Sequence, residues 1–261
     1  MQISLQNKKA LVGGATSGLG KAIAMQFAAS GASVTLMSRN EEKLKNTLKE
    51  LPTSSHQQHQ YLVVDFTDYG QFKTIIEEYF THNTVDILVN NTNGPKAGTA
   101  LEKTTEDYQN AFDLLFKTVN LTTHLALPHM QQQKFGRIIN LTSRTVQEPA
   151  DNLALSNTVR AAVTAWAKTL ANAVGKDNIT VNNILTGNFD TERLQSLFTT
   201  QAAQAGTSYE EVKAKSAEQI AVKRIGQPEE MSYLVTFLAS DFAAYITGTN
   251  ITIDGGLMRS L

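Results

Sequence analysis

The feature that most constrains the fold of this chain is a regular alternation between short apolar runs and longer segments of helical periodicity. The run Tyr61-Leu62-Val63-Val64 is apolar at consecutive positions, which is typical of a strand that is buried on both faces. Strands that alternate with helices in this way form parallel sheets covered by helices on both sides. The sequence therefore predicts an α/β protein built on a doubly wound parallel sheet.

The predicted elements follow one another without a repeat or a Gly/Pro-rich linker. Strands are predicted at 10–13, 33–38, 61–65, 87–90, 137–142, 179–185 and 250–253. Helices are predicted at 19–30, 41–50, 71–81, 106–132, 155–174, 191–205, 209–222 and 228–239. The whole chain, residues 1–261, is therefore predicted to be one domain.

Composition excludes several classes of function. Lys and Arg number 23 against 24 Asp and Glu, and this balance gives no electrostatic reason to bind nucleic acid or an anionic membrane. Cysteine is absent, which excludes disulfides and thiolate metal sites, and the five histidines are too scattered to indicate a metal. No apolar run approaches the roughly 20 residues that cross a bilayer, and Met1 to Lys9 does not resemble a signal peptide. We expect a soluble, cytoplasmic protein.

A glycine-rich loop joins the first predicted strand to the first predicted helix. Its sequence runs Gly13-Gly14-Ala15-Thr16-Ser17-Gly18-Leu19-Gly20. Glycines at such a junction let the backbone approach a pyrophosphate, whose negative charge the helix N-terminus stabilises. The order of strand, loop and helix therefore predicts a nucleotide site formed by Gly14, Thr16, Ser17, Gly18, Leu19 and Gly20.

The end of the second predicted strand bears on the choice of nucleotide. An acidic residue here binds the ribose hydroxyls of NAD, but the chain has Ser38 followed by Arg39. Arginine can meet the additional 2′-phosphate of NADP with a fork of donors. NADP(H) is therefore the predicted cofactor, although Arg39 is also compatible with an ordinary solvated surface position.

Motifs along nearly the whole chain resemble the short-chain dehydrogenase/reductase family, especially its 3-oxoacyl-acyl-carrier-protein reductases. They are the Gly14-x-x-x-Gly18-x-Gly20 pattern, the segments 90–94, 127–130, 136–143, 179–182, 224–230 and 245–248, and Asp254-Gly255-Gly256. Residues 156–160, 190–193 and 255–261 resemble a divergent subgroup of those proteins. The resemblance implies a Rossmann-type fold of about seven strands with a substrate lid at about 188–222.

The same resemblance assigns further cofactor contacts. Asp65 corresponds to an aspartate that binds adenine, with Phe66 beside it, and Thr191 to a threonine that holds the nicotinamide carboxamide. Asn90 and Asn91 resemble the start of the family's Asn-Asn-Ala-Gly motif. Gly187 belongs to Leu185-Thr186-Gly187, which stands where the family has Pro-Gly. Contact with the cofactor is expected more strongly for Asn90 than for Asn91, for which a structural role is equally compatible.

The catalytic positions depart from the family pattern. Relatives use a tetrad of Asn, Ser, Tyr and Lys, and counting along this chain places Leu115, Ser143, Ser156 and Arg160 there. A serine hydroxyl is a far weaker acid than a phenol, and arginine stays protonated at working pH. Only Ser143 matches, so Ser143, Ser156 and Arg160 are the candidate catalytic residues.

Each candidate has a structural alternative. Ser143 could satisfy a backbone group, Ser156 could cap its helix, and Arg160 could form an internal ion pair instead of holding cofactor oxygens. Leu115 is predicted to pack with Phe112, Phe116 and Val119 on one apolar face. Tyr209 in the lid could donate a proton in place of the missing tyrosine, although a surface role is the more common one. Leu194, Leu197 and Phe198 could line a substrate pocket or simply pack the lid.

Two functions remain open. The first is an NADP(H)-dependent reductase of a carbonyl substrate, small or acyl, with 3-oxoacyl groups suggested by the resemblance and with a modified proton donor. The second is a catalytically degenerate protein that binds nucleotide as a sensor or assembly partner. The family resemblance also implies a homo-oligomer, a dimer or tetramer, formed through the two long helices and the last strand.

Overall fold

The computed structural model describes residues 3–260 and contains one parallel sheet of seven strands. The strands are β1 (Lys9–Gly13), β2 (Ser33–Ser38), β3 (Gln60–Val63), β4 (Ile87–Asn90), β5 (Gly136–Leu141), β6 (Ile179–Thr186) and β7 (Asn250–Ile253). Their order across the sheet is β3-β2-β1-β4-β5-β6-β7. The predicted Rossmann-type doubly wound sheet is confirmed. The strand order reverses between β1 and β4, where open α/β sheets place their ligands.

Nine α-helices are described in this part of the chain. They are α1 (Gly18–Ala29), α2 (Glu41–Glu50), α3 (Tyr69–His82), α4 (Thr105–Phe112), α5 (Thr118–Gln133), α6 (Ala154–Val174), α7 (Glu192–Ala205), α8 (Tyr209–Gln219) and α9 (Pro228–Ala239). One apolar core joins α1, α2 and α9 to the sheet, and a second joins α3, α5 and α6 to its other face. A third, small cluster centred on Phe198, Ile220 and Ile225 holds α7 and α8 together. Helix α8 is shorter than predicted because Ile220 adopts an extended backbone and is buried in that cluster.

The predicted helix at 106–132 is not continuous. A π-helical turn, Asp113–Lys117, separates α4 from α5 and inserts extra backbone into the helical repeat. This shift breaks the predicted apolar face: Leu115 and Val119 are buried, whereas Phe112 is 37% exposed. Phe112 instead stacks on Phe116, with their ring centroids 4.7 Å apart. The packing role predicted for Leu115 is confirmed, and the single face shared with Phe112 is wrong. Such π turns are common at functional sites.

A ladder of asparagine side chains crosses four neighbouring strands near the functional edge of the sheet. Asn90, Asn140, Asn183 and Asn250 are register partners on β4, β5, β6 and β7. Each Nδ2 donates to the next Oδ1 along the series, at 2.8, 2.9 and 2.9 Å. Because the first three residues are buried, each amide needs these partners, and the ladder ties the four strands at the level of the site.

Within residues 3–260, no helix is long and apolar enough to cross a membrane. The same residues contain no group of three His, Cys, Asp or Glu side chains arranged to hold a metal ion.

Candidate active site

One large cavity, about 330 Å³, opens at the carboxyl ends of the central strands. Eleven of the residues predicted from the sequence line it: Gly14, Ser17, Gly18, Leu19, Gly20, Asn91, Ser143, Ser156, Arg160, Gly187 and Thr191. The six others lie outside its lining: Thr16, Ser38, Arg39, Asp65, Phe66 and Asn90. One cavity is therefore lined by the glycine loop, the ends of β4 and β5, α6 and the start of α7.

The glycine loop is shaped to approach a ligand closely. Gly14 has a φ of 59°, a left-handed conformation that favours glycine. A Cβ on Gly20 would overlap the carbonyl oxygen of Gly14, so the helix can start this close to the loop only without a side chain there. Ser17 precedes α1 without capping it, and the first turn holds no acidic residue. The first amides of α1 therefore lack side-chain acceptors and can bind an anion.

The ends of β2 and β3 form a second polar surface beyond the cavity lining. Thr16 Oγ1 and Ser38 Oγ lie 3.0 Å apart, which joins the loop to the β2 end. Arg39 is exposed and has no carboxylate within 4.0 Å among the described residues. Asp65 Oδ1 accepts hydrogen bonds from the Thr67 amide and hydroxyl at 2.9 and 2.7 Å. Burial pushes the pKa of Asp65 upward, but these bonds and the charge of Arg39 outweigh it and lower that pKa.

Phe66 and Asn90 present little to this surface. The Phe66 ring packs against Phe72 in the core, so only its backbone is available to a ligand. The Asn90 side chain is committed to the asparagine ladder and to Thr123. Asn91, which the sequence favoured less, lines the cavity and donates from Nδ2 to the Gly13 carbonyl at 3.0 Å. Of the two side chains, only that of Asn91 can therefore contact a cofactor, which reverses the preference predicted for Asn90. The reason is that the Asn90 side chain is held by the neighbouring strand.

The start of α7 closes the cavity against the glycine loop. Thr191 caps this helix by accepting from the Leu194 amide at 3.3 Å, and its methyl group faces Gly18. Gly187 packs against Asp254, where a Cβ would lie 2.5 Å from the aspartate Cα. Leu194 and Leu197 also line the cavity, whereas Phe198 is buried in the small α7–α8 cluster.

The two candidate serines present their hydroxyls differently. Ser143 Oγ accepts from the Thr145 amide at 3.2 Å and from the Thr145 hydroxyl at 3.0 Å. The structural alternative for Ser143 is therefore observed, because its oxygen satisfies the Thr145 backbone amide, while its own proton is left for an acceptor in the cavity. Ser156 makes no side-chain hydrogen bond with any described residue and lines the same cavity. The alternative that Ser156 caps its helix is wrong, because α6 begins at Ala154 with Leu153 before it.

Arg160 lies one helical turn beyond Ser156 in the wall of the cavity. Its Nη1 donates to the Leu141 carbonyl at 2.7 Å, and no carboxylate lies within 4.0 Å of it in the described chain. The alternative of an internal ion pair is therefore wrong. Burial of the guanidinium, assisted by the like charge of Arg193, lowers the pKa of Arg160 to about 10. Arg160 is thus a desolvated cation without a counter-ion.

Comparison with known proteins is consistent with this geometry. A sequence profile described as enoyl-(acyl carrier protein) reductase matches residues 14–258. A 3-oxoacyl-[acyl-carrier-protein] reductase of Thermotoga maritima is 31% identical, with 97% of this chain and 99% of the relative covered. The chain belongs to the short-chain dehydrogenase/reductase family. The NADPH-dependent reductase BacG of Bacillus subtilis is also 31% identical, over 98% of this chain and 100% of the relative.

A solved member of the family has nearly the same fold. The L-sorbose reductase of Gluconobacter frateurii, crystallised with NADPH and L-sorbose, superposes with a TM-score of 0.93. It is 28% identical, and the alignment covers 100% of both chains.

The cavity contains no phenol that could replace the missing tetrad tyrosine. Leu115 lines only a small neighbouring cavity of about 10 Å³, which it shares with Asn140, Thr142 and Arg160. Tyr209 packs near Phe198 in the α7–α8 cluster and does not reach the main cavity. No tyrosine or histidine lines the cavity within residues 3–260. The polar side chains that remain in the lining are hydroxyls, amides, one ammonium, the guanidinium groups and the exposed carboxylate of Glu192.

Arg193 is a cavity residue that the sequence reasoning missed. It is the second residue of α7, and its guanidinium packs against Gly94, where a Cβ would lie 2.5 Å from Nη2. Burial of the guanidinium lowers its pKa. The signal available in the sequence was its place in the segment Asp190-Thr191-Glu192-Arg193, which resembles a divergent subgroup of the family.

Proposed function

We propose that this protein is an NADP(H)-dependent oxidoreductase that reduces a carbonyl substrate with a modified proton donor. One observation carries the proposal: the uncapped N-terminus of α1 lines the same cavity as Ser143 and Ser156. A phosphate-binding element and polar groups for a carbonyl oxygen therefore face the same space. The names of two relatives supply 3-oxoacyl thioesters as the first acyl substrates to test.

The residues present fit the nucleotide. The glycine loop and the first amides of α1 suit a pyrophosphate, which would neutralise their unpaired partial positive charge. Arg39 and Ser38 suit a 2′-phosphate, and the free oxygen of Asp65 suits an adenine amino group. Asn91, Gly187 and Thr191 would enclose the nicotinamide end, with Phe66 and Asn90 contributing through backbone or second-layer contacts.

Three side chains of the cavity have different roles in reduction of the carbonyl. When bound, the reduced cofactor supplies a hydride to the carbonyl carbon. Ser143 donates its free proton as a hydrogen bond to the carbonyl oxygen, on which negative charge develops. Ser156, or a water beside it, delivers the proton that converts this oxygen to a hydroxyl. Arg160 stabilises the developing charge without giving up its own proton, because it remains protonated below a pKa of about 10.

Protonation of the carbonyl oxygen is expected to be the slow step of the reaction. General acid catalysis contributes about 10²–10⁴-fold, and an aliphatic hydroxyl is a poor acid compared with a phenol. The small cavity behind Arg160 has about the size of one water, but neither Ser143 nor Ser156 lines it, so a water that assists Ser156 would have to occupy the main cavity. Turnover is therefore expected to be slow.

The test is NADPH oxidation with a panel of aldehydes, ketones and 3-oxoacyl thioesters. We expect at least one substrate to be reduced, with kcat/KM about 100-fold lower in Ser143→Ala, the loss typical of one removed donor. NADPH affinity should be unchanged in that variant, because Ser143 faces the carbonyl. If no carbonyl reacts faster in the wild type than in Ser143→Ala, the proposal fails.

The absence of tyrosine and histidine from the lining of the cavity, among residues 3–260, favours a second candidate. In this case the protein binds NADP(H) without turnover and acts as a sensor or assembly partner. Cofactor binding that changes the affinity for a protein partner would support it, and rapid turnover of any substrate would exclude it. Homo-oligomerisation is proposed for both candidates, and a monomeric mass by light scattering would contradict it.

A further inference from the structure

Two arginines face the cavity without an anionic partner. Arg160 comes from α6 and Arg193 from the first turn of α7, and both line the cavity. Neither has a carboxylate within 4.0 Å anywhere in residues 3–260. By contrast Arg144, another arginine of the lining, lies 3.8 Å from Glu148. The cavity therefore contains two unneutralised guanidinium groups.

Most of the donors of this pair are free to meet a ligand. Arg160 donates only from Nη1, to the carbonyl of Leu141. Each of its other nitrogens that lacks a partner remains accessible to solvent. Arg193 makes no side-chain hydrogen bond with any described residue, and its guanidinium is held by packing on Gly94. The residue as a whole remains exposed, so an incoming molecule can reach it.

The pair is electrostatically unfavourable as it stands. Burial is the main cause of the lowered pKa of both groups, and the charge of Arg193 further lowers the pKa of Arg160. Glu192, which also lines the cavity, does not relieve this repulsion: it is exposed and lies 3.9 Å from Lys43. An anion placed between the two guanidiniums would supply the missing charge and accept their donors.

We infer that Arg160 and Arg193 bind a carboxylate on the substrate, so that the preferred substrates are small oxo acids and not neutral carbonyl compounds. This inference rests on the proposed reductase function. Because Arg160 follows Ser156 by one helical turn, the carboxylate would lie close to the carbonyl that Ser143 and Ser156 address. Planar guanidinium forks match the geometry of a carboxylate and can bind it in a bidentate manner.

The dimensions and composition of the cavity support a small acid. Its volume of about 330 Å³ must hold the nicotinamide end as well as the substrate. The apolar lining on the substrate side consists of a few side chains, including Leu153, Leu194 and Leu197. The pyrophosphate already has a site at the glycine loop, so the arginine pair is not needed there.

The experiment compares 3-oxobutanoate with its ethyl ester, which has the same ketone but lacks the charge. For the wild type we expect kcat/KM to be at least about 10-fold higher for the acid, since one hydrogen bond to a charged group contributes this much or more. In Arg193→Met the value for the acid should fall about 10- to 100-fold, and the value for the ester should change little. Arg144→Gln is the matched control, because Arg144 already has a carboxylate nearby, and it should keep the preference for the acid.

Binding measurements separate this inference from the proposed function. Butanoate cannot be reduced, and calorimetry should show that it binds the NADP⁺-loaded wild type at least about 10-fold more tightly than Arg193→Met. If no carbonyl is turned over but this difference holds, the carboxylate site stands and the reductase proposal fails. If carbonyls are reduced with equal preference for acid and ester, the inference is wrong.

Two further outcomes would also overturn it. Stronger binding of a phospho-substituted ketone than of the oxo acid would assign the arginine pair to phosphate. A loss of NADPH affinity in Arg193→Met as large as the loss for the acid would assign the pair to the cofactor.

Discussion

Replacement of Arg160 by methionine should make the ligand-free protein more stable. A guanidinium that is desolvated without a counter-ion opposes folding, whereas an apolar side chain of similar length would not. Such a gain in stability is expected where a residue is retained for function at the expense of the fold. A structural arginine would behave in the opposite way.

The magnitude follows from the shift in protonation. The fall of the pKa of Arg160 from the ordinary range of a solvated guanidinium to about 10 corresponds to about 3 kcal/mol against the charged form. Loss of the charge-assisted hydrogen bond to Leu141 offsets about 1.5 kcal/mol. The net gain of about 1–2 kcal/mol would raise the Tm by about 2–8 °C in a chain of this size.

Arg137 provides the matched control. It is fully buried, donates to the carbonyls of Ser240, Gly136 and Asn178, and lies 3.6 Å from Asp241. Arg137→Met leaves buried carbonyls without their donor and should lower stability by about 2–4 kcal/mol. Thermal and urea unfolding of both variants, without ligand, would measure the two effects. If Arg160→Met destabilises the protein as Arg137→Met does, Arg160 is a structural residue and the reasoning is refuted.

Three further outcomes are expected. Arg39→Ala should weaken NADPH binding about 10-fold and leave NADH binding unchanged, as measured by fluorescence titration; equal losses for both would exclude a 2′-phosphate contact. Asn140→Ala removes the ladder hydrogen bonds to both neighbouring strands and should lower the free energy of unfolding, measured by urea denaturation, by about 2–4 kcal/mol. A loss under about 0.5 kcal/mol would show that the ladder is dispensable. The hydrogen bonds from Arg224 hold the pKa of Glu230 at about 2, so the stabilisation from this pair is present above pH about 4 and is lost as the pH falls toward 2. The difference in Tm between wild type and Glu230→Gln should therefore vanish near pH 2, and a constant difference would contradict the assignment.

The sheet was predictable from the sequence because its strands are mostly apolar at consecutive positions and are separated by helix-length segments. The burial on both faces expected for the Tyr61–Val64 run is wrong, because β3 is an edge strand of the sheet and Val63 is 38% exposed. Tyr61-Leu62-Val63 became β3, with Asp65 just beyond its end, where it meets Thr67. The π turn at Asp113–Lys117 was not predictable, since its residues continue the helical pattern and the extra backbone is fixed by packing on α6.

The candidate site was predictable where position in the chain determines position in space. The glycine loop and Ser143 follow strands whose carboxyl ends meet at one edge, so they reach the same cavity. Hydrogen-bond partners decided the rest: Asn90 is held by the ladder, and Arg160 has no carboxylate to pair with. Arg193 escaped notice because its role depends on contact with Gly94, which is distant in sequence.

Titration of the purified protein with NADPH and, in parallel, with NADH would show whether the glycine loop and Arg39 form an NADP(H) site. We predict a dissociation constant on the order of micromolar for NADPH and binding of NADH at least about 10-fold weaker, because Arg39 would contact only the phosphorylated ribose. Absence of binding for both nucleotides would contradict the account, since the glycine loop would then have only a structural role.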